Sequence, residues 1–490
     1  MAIENGNEVE IQVVGSSKFG RYPKISAEKT LNMFSSDGWL INYSGYKNVL
    51  DILTSGVGRG IFNSVRGNFL LVVISSNVFK INPDFSFDTI PVALEPGSGD
   101  VFMDENLSQQ ICIVDGKKAY IYSYVTGLLT PQTLTVGSYD VIPNYVSYHN
   151  TFFLISSTKN SQFPQTWYAF QFKNDNEIEF VTGSQFTLQT KPDFALAVHR
   201  LPGKGNNVLV LGNTVGEVWQ HVGEAANYRR VSSFNIDSGV VNVSTIAASE
   251  QYLCYLAQNE NNAPFIMMTD GSSINRISSD GIDNVLSRIN FPEKSTAFFY
   301  RQDGHLFYQL TFYDPTDNLT LVYDFNTQSF FHATDENLNY HPATHVVFFH
   351  EKTYFISLNH GSIFLMDTDL VSADYKTLVG DYGFEIPRIR ICNTVRQKNS
   401  EPFRLGEFGF YIEQGMPTTQ TLTPRVDMSF SKDGNQSFSS VVSKELNPIG
   451  KFRNRLRWQR MGGNCNEFTI QLRFFGFNRF VVNGGVLQIF

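Results

Sequence analysis

From about residue 60 to residue 375 the chain repeats one pattern: an apolar run of five or six residues, a tight polar turn, then a second, alternating run. Clear copies are "FLLVVISSNVFKI" from Phe69, "QICIVDGKKAYIYSY" from Gln110 and "NVLVLGNTVGEVWQHV" from Asn207. Later come "PFIMMTDGSSINRI" from Pro264, "HLFYQLTFYDPTDNLTLVYDF" from His305 and "KTYFISLNHGSIFLMD" from Lys352. Alternation with period two puts successive side chains on opposite faces of a β-strand. The turns carry Asp-Gly, Asn-Thr and Asn-His-Gly, residues that tolerate the positive φ of hairpin turns. Two further runs, "YHNTFFLISS" around Thr151 and "QYLCYLA" around Tyr252, fit less cleanly.

Successive copies lie about 40 to 55 residues apart, a range that brackets the four-stranded blade of a β-propeller. Radial repetition suits such a chain because each blade covers the edges of its neighbours. Stacked sandwiches share the local pattern. In "SSDGIDNVLSRIN", Ile282, Val285, Leu286 and Ile289 fall at helical spacing, which predicts a short helix between two blades. After Asp381 the strands lengthen ("FRLGEFGFYIE", "PRVDMSFSKDG", "EFTIQLRFFGF"), as in an antiparallel sheet with one wet face. The expected fold is therefore all-β: a β-propeller of six or seven blades over 61–378 and a C-terminal antiparallel β domain over 379–490. Residues 1–60 read as an arm contributing to a β domain.

Composition agrees. A chain of 490 residues exceeds the roughly 250 to 300 at which single cores stop growing, and 43 Phe with 22 Tyr favour sheet. The longest clean apolar run, "FLLVVI", is too short to span a membrane, and "MAIENGNEVE" has no apolar core of a secretory signal. Cys112, Cys254, Cys392 and Cys465 lack any paired spacing, which points to a reducing site of synthesis.

Charge divides the chain. Residues 381–490 carry 15 Lys/Arg against 9 Asp/Glu, while the rest carries 23 against 37, within a net charge of -8. The basic end is concentrated in "KFRNRLRWQR". There Lys451, Arg453, Arg455 and Arg457 take every second position, Arg460 follows, and Phe452, Leu456 and Trp458 fall between. Read as a strand, the segment aims a row of cations at a partner and packs Phe452, Leu456 and Trp458 on a core.

Four stretches bear a family likeness. "LNMFSSDGWLINYSGYKNVL", "NVLVLGNTVGEVWQHVGEAANYRR" and "NAPFIMMTDGSSINRISSDGIDNVL" resemble, in order and length, the packaged-DNA stabilisation proteins, or tail hubs, of short-tailed bacteriophages. "SFSKDG" followed by "RLRWQRMG" resembles that family's last domain, while Tyr46-Lys47 stands where the family has Pro-Gly. The resemblance implies a propeller body in a ring of six copies beneath the portal, prolonging the DNA channel and retaining the genome. It further implies portal or adaptor and other tail proteins as partners, passing double-stranded DNA without sequence specificity, and a place in the virion tail after synthesis in the host cytoplasm. The cationic row then serves assembly or touches phosphate. An acidic lumen favours sliding DNA, so assembly is the preferred role.

Chemistry is poorly supported. "SFSKDGNQSF" from Ser429 superficially resembles a sialidase turn, but Gly434 follows Asp433 one position early and the motif occurs once; a hairpin turn is the simpler reading. Glycoside hydrolysis needs two facing carboxylates, and none stand out. His341, His345 and His350 sit in a segment with strand or loop character and no metal signature. "LPGKGNNVLVLGNTVG" lacks phosphate-loop spacing. The expectation is a structural virion protein, not an enzyme, with no catalytic residue, metal or cofactor. A receptor- or glycan-binding propeller is the alternative, and a sialidase-like glycosidase the more distant one.

Overall fold

A computed structural model describes residues 7–19, 28–97, 99–223, 226–261, 263–376, 383–396, 401–416, 423–453, 455–459, 461 and 463–489. Among these, six antiparallel four-stranded meanders follow one another along the chain. Their first strands are Gly58–Ser64, Phe102–Glu105, Pro143–His149, Ala197–Arg200, the pair Gly239–Val240 and Ala247–Ala248, and Ser295–Gln302. A seventh sheet has three consecutive strands (His345–Phe349, Lys352–Ile356, Ser362–Asp367) and takes its fourth, Gly45–Asp51, from the N-terminal region. First strands of neighbouring blades adjoin one another, the last adjoining the first, while blades 4 and 5 are joined through a shared apolar cluster, so the sheets are the blades of a propeller, numbered here 1 to 7.

Each junction between blades is an apolar cluster. Val73 and Ile113 belong to the cluster between blades 1 and 2, Leu211 and Tyr255 to that between blades 4 and 5, and Phe307 and Phe364 to that between blades 6 and 7. Ile74 and Ile356 then join blade 1 to blade 7 and close the circle. The second strand of a blade is buried on both faces; Phe69–Ile74 and Gln110–Val114 have no exposed residue. That explains the continuous apolar runs, as against the alternation of a half-buried strand.

Both ill-fitting runs are accounted for. "YHNTFFLISS" opens blade 3, whose first turn places Asn150 and Thr151 at φ 45° and 73°; without a glycine the turn signal is faint. "QYLCYLA" pairs with Pro264–Thr269 inside blade 5, so the two runs are one blade. At Asn213-Thr214 neither residue has positive φ. The Asp193 carboxylate holds that turn from outside, accepting from Thr214 N at 2.6 Å and Val215 N at 3.1 Å. A helix, Asp280–Leu286, does lie between blades 5 and 6, capped by Ser279 and burying Ile282 and Leu286; Ile289 falls beyond its end.

The N-terminal segment serves both ends of the molecule. Gly45–Asp51 completes blade 7, while Lys29–Leu31 runs parallel to the outer strand of blade 6 and pairs on its other side with Arg388–Ile391. Beyond that strand come Glu467–Phe475, Arg425–Ser431 and Val442–Glu445. A second sheet orders Met33–Ser36, Trp39–Asn42, Val481–Ile489, Phe403–Ile412 and Arg455–Trp458. The two sheets face each other over Phe408, Phe410, Trp458, Phe468 and Phe474, forming a sandwich beside blade 6.

Closure needs close backbone approach. A Cβ on Gly361 would lie 2.6 Å from the Leu53 carbonyl, just where Ile52 and Leu53 donate to the Gly361 carbonyl at 3.1 and 2.9 Å. Gly361→Ala should therefore lower the urea midpoint by the equivalent of ~1–3 kcal/mol, whereas Gly205→Ala, which meets nothing within 4 Å, should not. Acid should loosen the same region. Burial pushes His341 between blades 6 and 7 down to about 3; at His332, against the N-terminal segment, burial and the Lys29 charge do the same. The unfolded chain, with these groups near 6.5, binds more protons between that pH and about 3, so stability is present above 6.5 and falls as pH drops through the window. Each histidine contributes a slope of at most about 1.4 kcal/mol per pH unit. Tm should decline from pH 6.5 to 4.5, and His341→Gln should flatten the decline.

Candidate functional site

The cationic row is shorter than its alternation predicts. Only Arg455–Trp458 is a strand, paired antiparallel with Phe403–Ile412 in the register Tyr411↔Arg455 to Phe408↔Trp458. The partner strand stops at Ile412, leaving no ladder opposite Arg453. Instead the Arg453 carbonyl accepts from Gln414 Nε2 at 2.5 Å and Asn447 Nδ2 at 3.2 Å, which bends residues 447–453 into a loop. Phe452, expected in the core, is consequently 67% exposed. Arg460 lies outside the described residues. Leu456 and Trp458 do point inward: Trp458 stacks on Phe408 and Phe410 at 5.9 and 5.7 Å and donates Nε1 to the Val442 carbonyl at 3.0 Å.

On the outer face Arg455 and Arg457 share one carboxylate. They stand 3.5 and 3.7 Å from Glu407 Oε1, while Gln459 Nε2 donates to Glu407 Oε2 at 2.9 Å. Gly409 leaves room for both side chains, since a Cβ there would meet Arg457 Cγ at 3.1 Å. With side chains 43% and 53% exposed, such pairs are worth about 0–1 kcal/mol. Lys451 and Arg453 are exposed and, among the described residues, have no side-chain partner. Among the described residues the strand is the edge of its sheet. This surface therefore carries excess positive charge, with Phe452 and Ile449 exposed beside it.

A second arginine pair escapes a reading of the sequence. Arg388 and Arg390, in "RIRI", are fully buried. All five N–H groups of Arg390 are used: Nε to Val13 O, Nη1 to Ser16 O and Thr30 Oγ1, and Nη2 to Gln12 O and Glu28 Oε2, at 2.8 to 3.0 Å. Arg388 donates to Ile386 O and Val371 O and lies over the Phe480 ring; burial lowers it to about 10, so it stays charged at neutral pH. The available signal was Arg-Ile alternation, identical in kind to that of Arg455 and Arg457.

One carboxylate reaches from the start of blade 2 to another blade. Asp100, between blades 1 and 2, has Oδ1 3.3 Å from His345 Nε2 on blade 7. Burial opposes its ionisation, but His345, Ser244 and Arg59 outweigh burial and hold the carboxyl below its ordinary value. His341 and His350 go elsewhere, the one into the core and the other to Asn68 Oδ1 at 2.8 Å. Among the described residues, no group of three or more His, Cys, Asp or Glu is placed to hold a metal ion, and no helix is long and apolar enough to cross a membrane. The turn at Asp433 is self-contained: its carboxylate accepts from Gln436 N, Ser437 N, Ser431 Oγ and Ser437 Oγ, which together hold it at about 2.

A family model described as bacteriophage P22 Gp10, beta-propeller, matches residues 21–371. No curated protein matches the sequence. Solved structures similar to this chain include the Pan2 WD40 domain of Neurospora crassa, at 8% identity over 64% of this chain and 89% of that one, with TM-score 0.37. The AfRom2 CNH domain is 11% identical over 66% and 98%, with TM-score 0.38. The extracellular domain of the putative one-component system BT4673 from B. thetaiotaomicron is 10% identical over 88% and 58%, with TM-score 0.41.

The two arginine pairs should separate in stability. Removing one partner of a buried ion pair costs about 3–5 kcal/mol, so Arg390→Met should lower the unfolding free energy by that order. Arg457→Ala should stay within about 0.5 kcal/mol of the parent. Urea titration followed by tryptophan fluorescence compares them.

Proposed function

This chain belongs to the phage stabilisation family of the bacteriophage P22 Gp10 β-propeller, and from that premise we propose that it forms a ring below the portal or adaptor of a phage tail. In this reading it is a structural component of the virion. Copies, six by the family resemblance, extend the DNA channel, retain the packaged genome and join distal tail parts. The match through 21–371, the stretch that holds the blades, is the observation that carries the reading.

The centre of the propeller bears on where DNA runs. A single propeller that brings Asp100 within 3.3 Å of His345 on blade 7 offers a narrow centre for a duplex whose major groove alone is about 12 Å wide. A channel has to lie between copies. Lys451, Arg453, Arg455 and Arg457 then act as subunit or tail-protein contacts rather than as a grip on phosphate, because counterion release would slow a duplex that must leave quickly. The acidic balance of residues 1–380 suits a wall that repels phosphate.

Electron microscopy tests the reading directly. The purified protein should give open rings, and particles lacking it should lose their DNA; isolated monomers together with DNA-tight particles would refute it. Reversing Arg453, Arg455 and Arg457 to Glu should abolish ring formation or tail attachment while leaving the melting temperature unchanged. If both survive the reversal, the arginines have no part in assembly.

A further inference from the structure

We propose that the arginine edge of one copy docks into an acidic, aromatic cleft on the propeller of a second copy. This inference rests on the assembly reading above and names the surface that the edge meets. The cleft, of about 500 Å³, opens between blades 6 and 7. Asp335 and Glu336 give it charge, Tyr340, His360 and Tyr375 give it rings, and among the described residues no Lys or Arg lines it. Burial holds His360 below its usual value despite Glu336 and Asp51, so it is neutral at pH 7. Glu336 Oε2 is fixed by the hydroxyls of Tyr375 at 2.9 Å and Tyr46 at 3.4 Å, while Oε1 takes a bond from Asn337 Nδ2. The His360 and Tyr375 rings lie 5.1 Å apart at 30°. Anchored carboxylates beside aromatic walls, with no internal cation, are the chemistry that receives a guanidinium: the oxygens accept its N–H groups and a ring takes its flat face.

The chain displays that group in excess. Arg455 and Arg457 share one carboxylate, Glu407, Lys451 and Arg453 have no side-chain partner among the described residues, and Phe452 stands exposed among them. Within one copy the two surfaces sit apart. The cleft lies at the end of the blades that carries Pro315, Asn318 and Asn359. The sheet bearing the arginine edge meets blade 6 at the other end of its strand His305–Phe312, through Arg479–Asp303 at 2.8 Å and Gln302 Nε2 to the Asn42 carbonyl at 2.9 Å. The edge is three strands further out, roughly 14 Å at the usual strand spacing. The contact is therefore head-to-tail, the heterologous geometry that yields a ring when the rotation closes.

Sedimentation velocity and native mass spectrometry on the full chain provide the test. Arg455→Glu with Arg457→Glu should weaken self-association at least tenfold. So should Asp335→Asn with Glu336→Gln, which keeps the hydrogen-bond acceptors and removes the charge. An equimolar mixture of the arginine-reversed chain and a Glu336→Lys chain should reassemble, because each reversed surface then meets its complement. If the parent assembles and the cleft variants assemble equally well, or the mixture of folded variants stays dissociated, this inference falls and the ring reading stands. A parent that is monomeric at every concentration overturns both.

Discussion

A ring of sheets holds together only if its last member grips its first, and here the grip is one strand borrowed from the far end of the chain. Gly45–Asp51 pairs with Ser362–Asp367 on one side and Ser372–Asp374 on the other. Without it blade 7 would expose a bare edge, a template for unwanted pairing. The entropy of closing so long a loop grows only with the logarithm of its length, so the geometry costs little more in equilibrium than a short closure would. Its demand is kinetic, since such distant contacts form slowly. The same N-terminal segment continues through Lys29–Leu31 into the sandwich, where the Arg390 guanidinium bonds the backbone from Gln12 to Ser16. Ring closure and attachment of the sandwich are thereby one structural event.

Much of this was legible in the sequence, and the failures have identifiable causes. Apolar runs with Asp-Gly turns marked the blades because Gly116 and Gly271 carry the positive φ that those hairpins require. Blade 3 was faint because Asn150 and Thr151 replace the glycine. The two Arg-x-Arg segments are the instructive case. Alternation separates two faces of a strand but does not say which one faces the core. Arg390 is interior because three distant carbonyls, the Thr30 hydroxyl and Glu28 supply five acceptors, a set invisible in any local window. Arg455 and Arg457 are exterior because the opposite face offers Leu456 and Trp458 to Phe408 and Phe410. Phe452 followed neither rule, since its strand had run out of partner.

These two cationic sites divide the work of the molecule. A guanidinium saturated by the protein has nothing left to offer and contributes rigidity. One that shares a carboxylate at 3.5 to 3.7 Å with its neighbour is held weakly and keeps its charge available. Cations on an edge strand also discourage another chain from adding to the backbone ladder. A contact made there is consequently one of side chains, specific in charge and sensitive to salt. This arrangement disfavours the strand pairing that an apolar edge would invite.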